Sequence, residues 1–242
     1  MADSGLPRPA CGGGIQVRRF EDTHALRRAV AQRLADEITH DTDSPFAILL
    51  SGGSTPFPAY RDVAEQRLTA SSNLHVGFTD DRYVSPDSSH SNYRNTRPLI
   101  QSLGLSETRV LRVRTELPLG DAASDYEDQF NRFLAGGGRI PLAYLGLGAD
   151  GHTCSLFLRK QVDQSRGHMA IAVHRPDGRN GVTVTPELLQ RVATLVFLVS
   201  GEEKQSALRD LVTSGASSVA AVVVAGHPSV EVWTEPQAWP GA

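Results

Sequence analysis

Four short apolar runs in this chain end in the same kind of break. Residues 46–50 (FAILL) run into Ser51-Gly52-Gly53-Ser54-Thr55-Pro56, and residues 74–78 (LHVGF) into Thr79-Asp80-Asp81-Arg82. Residues 140–148 (IPLAYLGLG) run into Ala149-Asp150-Gly151-His152, and residues 193–199 (ATLVFLV) into Ser200-Gly201-Glu202-Glu203-Lys204. Runs that are apolar at nearly every position, with little polar alternation, belong to strands buried on both faces. Such strands need helices on each side, so the expected class is α/β, with a mostly parallel sheet covered on both faces.

The segments between the runs fit that expectation. Leu26, Val30, Leu34 and Ile38 recur at four-residue spacing, with Asp22 or Thr23 as a cap. Pro56 opens a second helical segment that runs to Arg67, and a short helix is expected from Arg97 to Leu103. Tyr126, Phe130, Phe133 and Leu134 mark a further helix, which the glycines at 136–138 stop. Residues 205–212 make another. Additional strands are expected at 16–20, 108–113, 167–173, 181–185 and 218–226, the last from SVAAVVVAG. Residues 1–14, rich in Gly and Pro, read as a flexible leader, and residues 15–242 as one domain.

Composition narrows the partners. The net charge of −3 gives no general attraction to nucleic acid or to an anionic membrane, so any anionic ligand must be held by local donors. Cys11 and Cys154 are the sole cysteines, which argues against a disulfide framework and suits a cytoplasmic protein. No apolar stretch reaches the roughly 18 residues of a membrane span. A monomer is the working expectation.

Parallel sheets bind ligands beyond the carboxyl ends of their strands, so the polar loops above share one rim. In Ser51-Gly52-Gly53-Ser54-Thr55, glycines let amides close on an anion, hydroxyls add donors, and the following helix start adds positive charge, which together suit a phosphate. A tight strand-to-helix turn explains the loop equally well. Lys204 tips the choice: Ser200 to Glu203 resembles a capping box, and a cation in the first helical turn needs an anion nearby. Arg179 lies in a loop able to reach the same rim. The acids Asp80 and Asp81 beside Arg82 can orient a base, bind a sugar hydroxyl or simply pair.

Gly146, Gly148 and Gly151 formally spell a dinucleotide fingerprint, but the acid expected about 20 residues later is missing. The preferred reading places Asp150 beside His152, an imidazole able to act as general base toward water. Cys154 reads as a small buried residue, and the histidines and cysteines lack zinc spacing. No cofactor and no catalytic metal are expected.

The segments LSGGSTPFPAY, FTDDRYVSPDSSHSNYR, YLGLGADGHTCSLF and VFLVSGEEKQSAL together resemble the 6-phosphogluconolactonases, in order and spacing from Ala47 to Leu211. That resemblance implies a Rossmann-like fold and metal-free hydrolysis of a phosphorylated sugar δ-lactone in the oxidative pentose phosphate pathway. It makes His152 the base, with Asp150 tuning it. It also implies that Arg82 steadies the oxyanion and that Ser51 to Thr55 clasp the phosphate with Lys204. The chain departs from the family pattern at Asp81, where glutamate is usual, at Cys154 and Leu158, and at Gly181, where an arginine is common. A related deaminase-type aldose–ketose isomerase is the alternative. Its pattern shares an aspartate at 81 but wants glutamate where this chain has Arg82 and Phe157. A non-catalytic sugar-phosphate-binding module is the third reading.

Overall fold

A computed structural model describes residues 14–213 and 216–240; residues 1–13 of the expected leader lie outside the described residues. In chain order the elements are β1 (Gln16–Arg19), α1 (Thr23–Thr39), β2 (Phe46–Leu50), α2 (Pro56–Glu65), β3 (Leu74–Phe78), β4 (Asp80–Arg82), α3 (Asn92–Ser102), β5 (Val110–Leu111) and α4 (Leu119–Ala135). Then follow β6 (Arg139–Gly146), α5 (Arg159–Gln164), β7 (Ala170–His174), β8 (Asn180–Val184), α6 (Pro186–Leu189), β9 (Val192–Val199), α7 (Gln205–Val212), α8 (Val219–Val223) and β10 (Val230–Thr234).

Seven strands form one parallel sheet in the order β1-β10-β9-β6-β2-β3-β5. The apolar runs sit at its centre, where neither face can meet water. Phe46, Ile48 and Leu50 of β2 pack toward α1, α2 and α3, while Ala47 and Leu49 pack toward α4 and the opposite layer. Leu26, Val30, Leu34 and Ile38 of α1 are almost wholly buried, and Asp22 caps that helix by accepting from the Ala25 amide at 2.7 Å. Pro141 lies inside a central strand, and the β2–β6 register shifts there, pairing Phe46 with Arg139 but Ile48 with Leu142.

The topology places the site. The chain starts at one edge with β1, crosses to β2, moves outward through β3 and β5, and returns to lay β6 against the other side of β2. The direction of winding therefore reverses between β2 and β6, and a crevice opens beyond their carboxyl ends.

Four expectations need correction. Residues 218–226 are no strand: Ser218 accepts from the Ala221 amide and starts helix α8, and Gly226 at φ 74° ends the segment, so the strand that follows β9 in the chain is β10, which inserts between β9 and β1. The helix placed at 97–103 begins earlier, at Asn92, because Ser91 caps it by accepting from the Arg94 amide. Ser200 closes no capping box. Its hydroxyl and the Gly201 amide donate to Glu235 at 3.3 and 2.9 Å, and Lys204 ends a 3-10 turn that leads into α7. Finally, β8 pairs with β4 and β7 with β8 in a separate antiparallel sheet instead of joining the main one.

Candidate active site

A cleft of about 250 Å³ opens at the reversal point between β2 and β6. Its walls carry the loop Ser51 to Thr55 after β2, Asp80 and Arg82 of β4, Gly148 and His152 after β6, and Lys204 after β9. All four loops read from the sequence thus reach one cavity, and the imidazole and the glycine-rich cradle face the same space.

His152 is set by the turn that ends β6. Its Nδ1 lies 2.5 Å from Asp150 Oδ1, and its own amide donates to the same oxygen at 3.2 Å. The imidazole also packs on Phe157, with ring centroids 4.1 Å apart. Gly148 makes this possible, since a Cβ there would overlap both the imidazole and the Asp150 carboxylate. Partial burial works against ionisation of Asp150, yet the hydrogen bond and charge of His152 outweigh it and hold the carboxyl below its ordinary value.

Strand alternation separates the two acids of β4. Asp80 and Arg82 point toward the cleft, whereas Asp81 points away and is buried. Asp81 accepts from the amides of Arg82, Asn92 and Tyr93 at 2.8, 2.7 and 3.0 Å and from the Ser91 hydroxyl at 3.1 Å, so it anchors the first turn of α3. Burial pushes its carboxyl up to about 6 against the pull of those donors, with the nearby Asp80 charge adding to the rise.

Asn92 links the cleft residues. It is fully buried, receives Arg82 Nη1 on its Oδ1 at 2.6 Å, and donates to the Asp80 carbonyl at 2.9 Å. Gly52 lets it in, because a Cβ at 52 would stand 2.7 Å from Asn92 Nδ2 and closer still to its oxygen.

The cradle is short of partners. Ser51 Oγ and Thr79 Oγ1 are buried, their residues line the cleft, and neither atom makes a hydrogen bond among the described residues. Among the described residues, Lys204 Nζ has one carboxylate within ion-pair range, Glu203 at 4.0 Å. Unsatisfied donors beside a cation at the head of α2 are suited to an anionic group.

Arg179 does not reach this space. It pairs with Asp177 at 3.3 Å and stays exposed, while Arg175, which no motif marked, lines the cleft. Asn92 had no motif either, although its place after the Ser91 cap gave a local signal. Cys154 is half-buried in the cleft lining with φ 53°, and desolvation pushes its thiol well above its ordinary value, which disfavours the thiolate.

The family model for glucosamine-6-phosphate isomerases/6-phosphogluconolactonase matches residues 21–233. The chain belongs to that family. A 6-phosphogluconolactonase of Synechocystis is 37% identical over 171 residues, covering 68% of this chain and 70% of its own length. A human 6-phosphogluconolactonase is 33% identical over 196 residues, covering 76% and 75%. The crystal structure of a 6-phosphogluconolactonase from Thermotoga maritima superposes with a TM-score of 0.76 at 26% identity, over 92% of this chain and all of that one. Among the described residues, no helix is long and apolar enough to cross a membrane.

Proposed function

We propose that the chain hydrolyses 6-phosphoglucono-δ-lactone to 6-phosphogluconate, a step of the oxidative pentose phosphate pathway, in the cytoplasm. One observation carries the reading: His152, paired with Asp150, and the donor-rich cradle with Lys204 line a single cleft. The lactonase names of its relatives support the same substrate.

With Nδ1–H donated to Asp150, the imidazole keeps its lone pair on Nε2. Nε2 takes a proton from water as the oxygen attacks the lactone carbonyl. The tetrahedral oxyanion forms beside Arg82, whose guanidinium is held by Asn92 and by the His90 carbonyl at 3.3 Å. Preorganised donors of this kind lower such barriers by about 3 kcal/mol each. The intermediate then expels the ring oxygen, which takes the proton from imidazolium and leaves as a hydroxyl. Meanwhile Ser51, the amides of Gly52 to Thr55 and Lys204 hold the phosphate, so binding energy far from the carbonyl positions the ring.

The test compares loss of freshly made lactone with its spontaneous hydrolysis. Faster, saturable loss that disappears in His152→Ala supports the reading. Equal rates sink it, and ammonia release from glucosamine 6-phosphate would replace it with the deaminase reaction.

A further inference from the structure

Resting on that reading, we propose that Arg175 is a catalytic residue that grips the acyl end of the substrate: the oxyanion in the transition state and the carboxylate of the product. Arg175 leaves the end of β7, turns inward and is only 9% exposed, yet it lines the cleft. Two carboxylates flank it, and one nitrogen stays open. Nη1 donates to the Ser155 hydroxyl, Asp80 stands 3.6 Å away and Asp177 is 3.5 Å from Nε, while Nη2 has no hydrogen-bond partner among the described residues. Ser155 donates in turn to Asp80 at 2.5 Å, so that carboxylate is already engaged. A nearly dehydrated guanidinium with an open Nη2 can donate to a further carboxylate or oxyanion in a charge-assisted hydrogen bond.

Position assigns it to the reacting end. The guanidinium carbon lies 5.0 Å from the Phe157 ring centroid, and the same ring packs on His152. The base and this cation are therefore neighbours on one aromatic side chain, whereas Lys204 comes from the loop after β9. Gly181 on β8 makes the room, because a Cβ there would stand 3.3 Å from Arg175 Cδ and 3.1 Å from the Asp81 carbonyl. Glycine at 181 and arginine at 175 thus work as a pair across the β7–β8 hairpin.

The product has a carboxylate and a phosphate, whereas glucose 6-phosphate has the phosphate alone. Equilibrium binding of 6-phosphogluconate and of glucose 6-phosphate is measured on the wild type, Arg175→Ala, Arg175→Lys and Gly181→Ala. Arg175→Ala should weaken 6-phosphogluconate binding by about tenfold or more and glucose 6-phosphate binding by less than about twofold. Arg175→Lys, which keeps charge but loses the fork, should fall between, and kcat for the lactone should drop in the same order. Retained glucose 6-phosphate binding certifies that the cleft is folded. Should the two ligands weaken together, or neither weaken, the assignment of Arg175 is wrong. If Arg175→Ala does not fold, Gly181→Ala decides: it should erode aldonate binding selectively, and unchanged selectivity overturns the proposal. If the wild type binds neither ligand and spares the lactone, the lactonase reading itself is what fails.

Discussion

Replacing Gly148 by alanine should break the proposed catalytic pair, His152 and Asp150, without removing either member. The new methyl would stand less than 3.0 Å from His152 Nδ1, His152 Cε1 and Asp150 Oδ1, where ordinary contact begins near 3.4 Å. Position 148 has no left-handed φ, so the backbone accepts alanine, and the conflict falls on the two side chains. Both are partly exposed at 26% and 56% and are free to swing toward solvent, which limits the stability cost to about 1–2 kcal/mol. The imidazole must retreat by roughly 1 Å, and a misplacement of that size costs about 100-fold in rate, or about 2.7 kcal/mol of transition-state stabilisation. The phosphate cradle is untouched. Steady-state kinetics on the lactone should therefore show kcat down about 100-fold with KM changed less than about threefold, in a protein whose denaturant midpoint moves little. If kcat stays within about threefold of wild type, His152 held by Asp150 is not the base. A rise confined to KM would also refute the argument, because it would assign the pair to binding.

The remaining expectations address the other walls of the cleft. Lys204→Ala should raise KM for the lactone by about tenfold and flatten its dependence on salt while kcat changes far less, as read from kinetics at two ionic strengths. Gly52→Ala pushes into Asn92, which is buried and cannot swing out, so chemical denaturation should register a loss of about 2–3 kcal/mol together with lower activity. Asp81 binds its proton more tightly in the folded state, where burial pushes it to about 6, than in the unfolded chain. Its contribution to stability therefore falls as pH rises from about 4 to 6 and is constant above, so relative to Asp81→Asn the wild type should lose thermal midpoint across that window.

What the sequence showed and hid follows from how far apart the deciding contacts lie. Helix α1 was readable because Leu26 to Ile38 carry their own period, and β2, β6 and β9 because a run without polar alternation fits only a strand covered on both faces. Residues 218–226 misled because a valine-rich run has strand composition but no period. Its helix is settled by the Ser218 cap and by the Ala220 amide, which donates to the Gly151 carbonyl at 2.8 Å, a contact some seventy residues back along the chain. Arg175 was hidden for the same reason. It reaches the cleft only because β8 pairs antiparallel with β4 and β7 with β8, a small sheet that no loop motif announces.

The tripeptide Asp80-Asp81-Arg82 shows most clearly where residue chemistry runs out and geometry takes over. Two adjacent carboxylates look equivalent in a sequence, and either can be assigned to the substrate. Once the segment is a strand, alternation divides them: Asp80 and Arg82 share the cleft face, and Asp81 turns inward to the first amides of α3. Asp81 then acts at a distance. By fixing the start of α3 it fixes Asn92, and Asn92 in turn holds Arg82 at 2.6 Å and the Asp80 backbone at 2.9 Å. A shorter acid at 81 is compatible with the site for this reason, since its oxygens need only reach the turn directly beside them, and the proposed substrate contact is left to the arginine it positions.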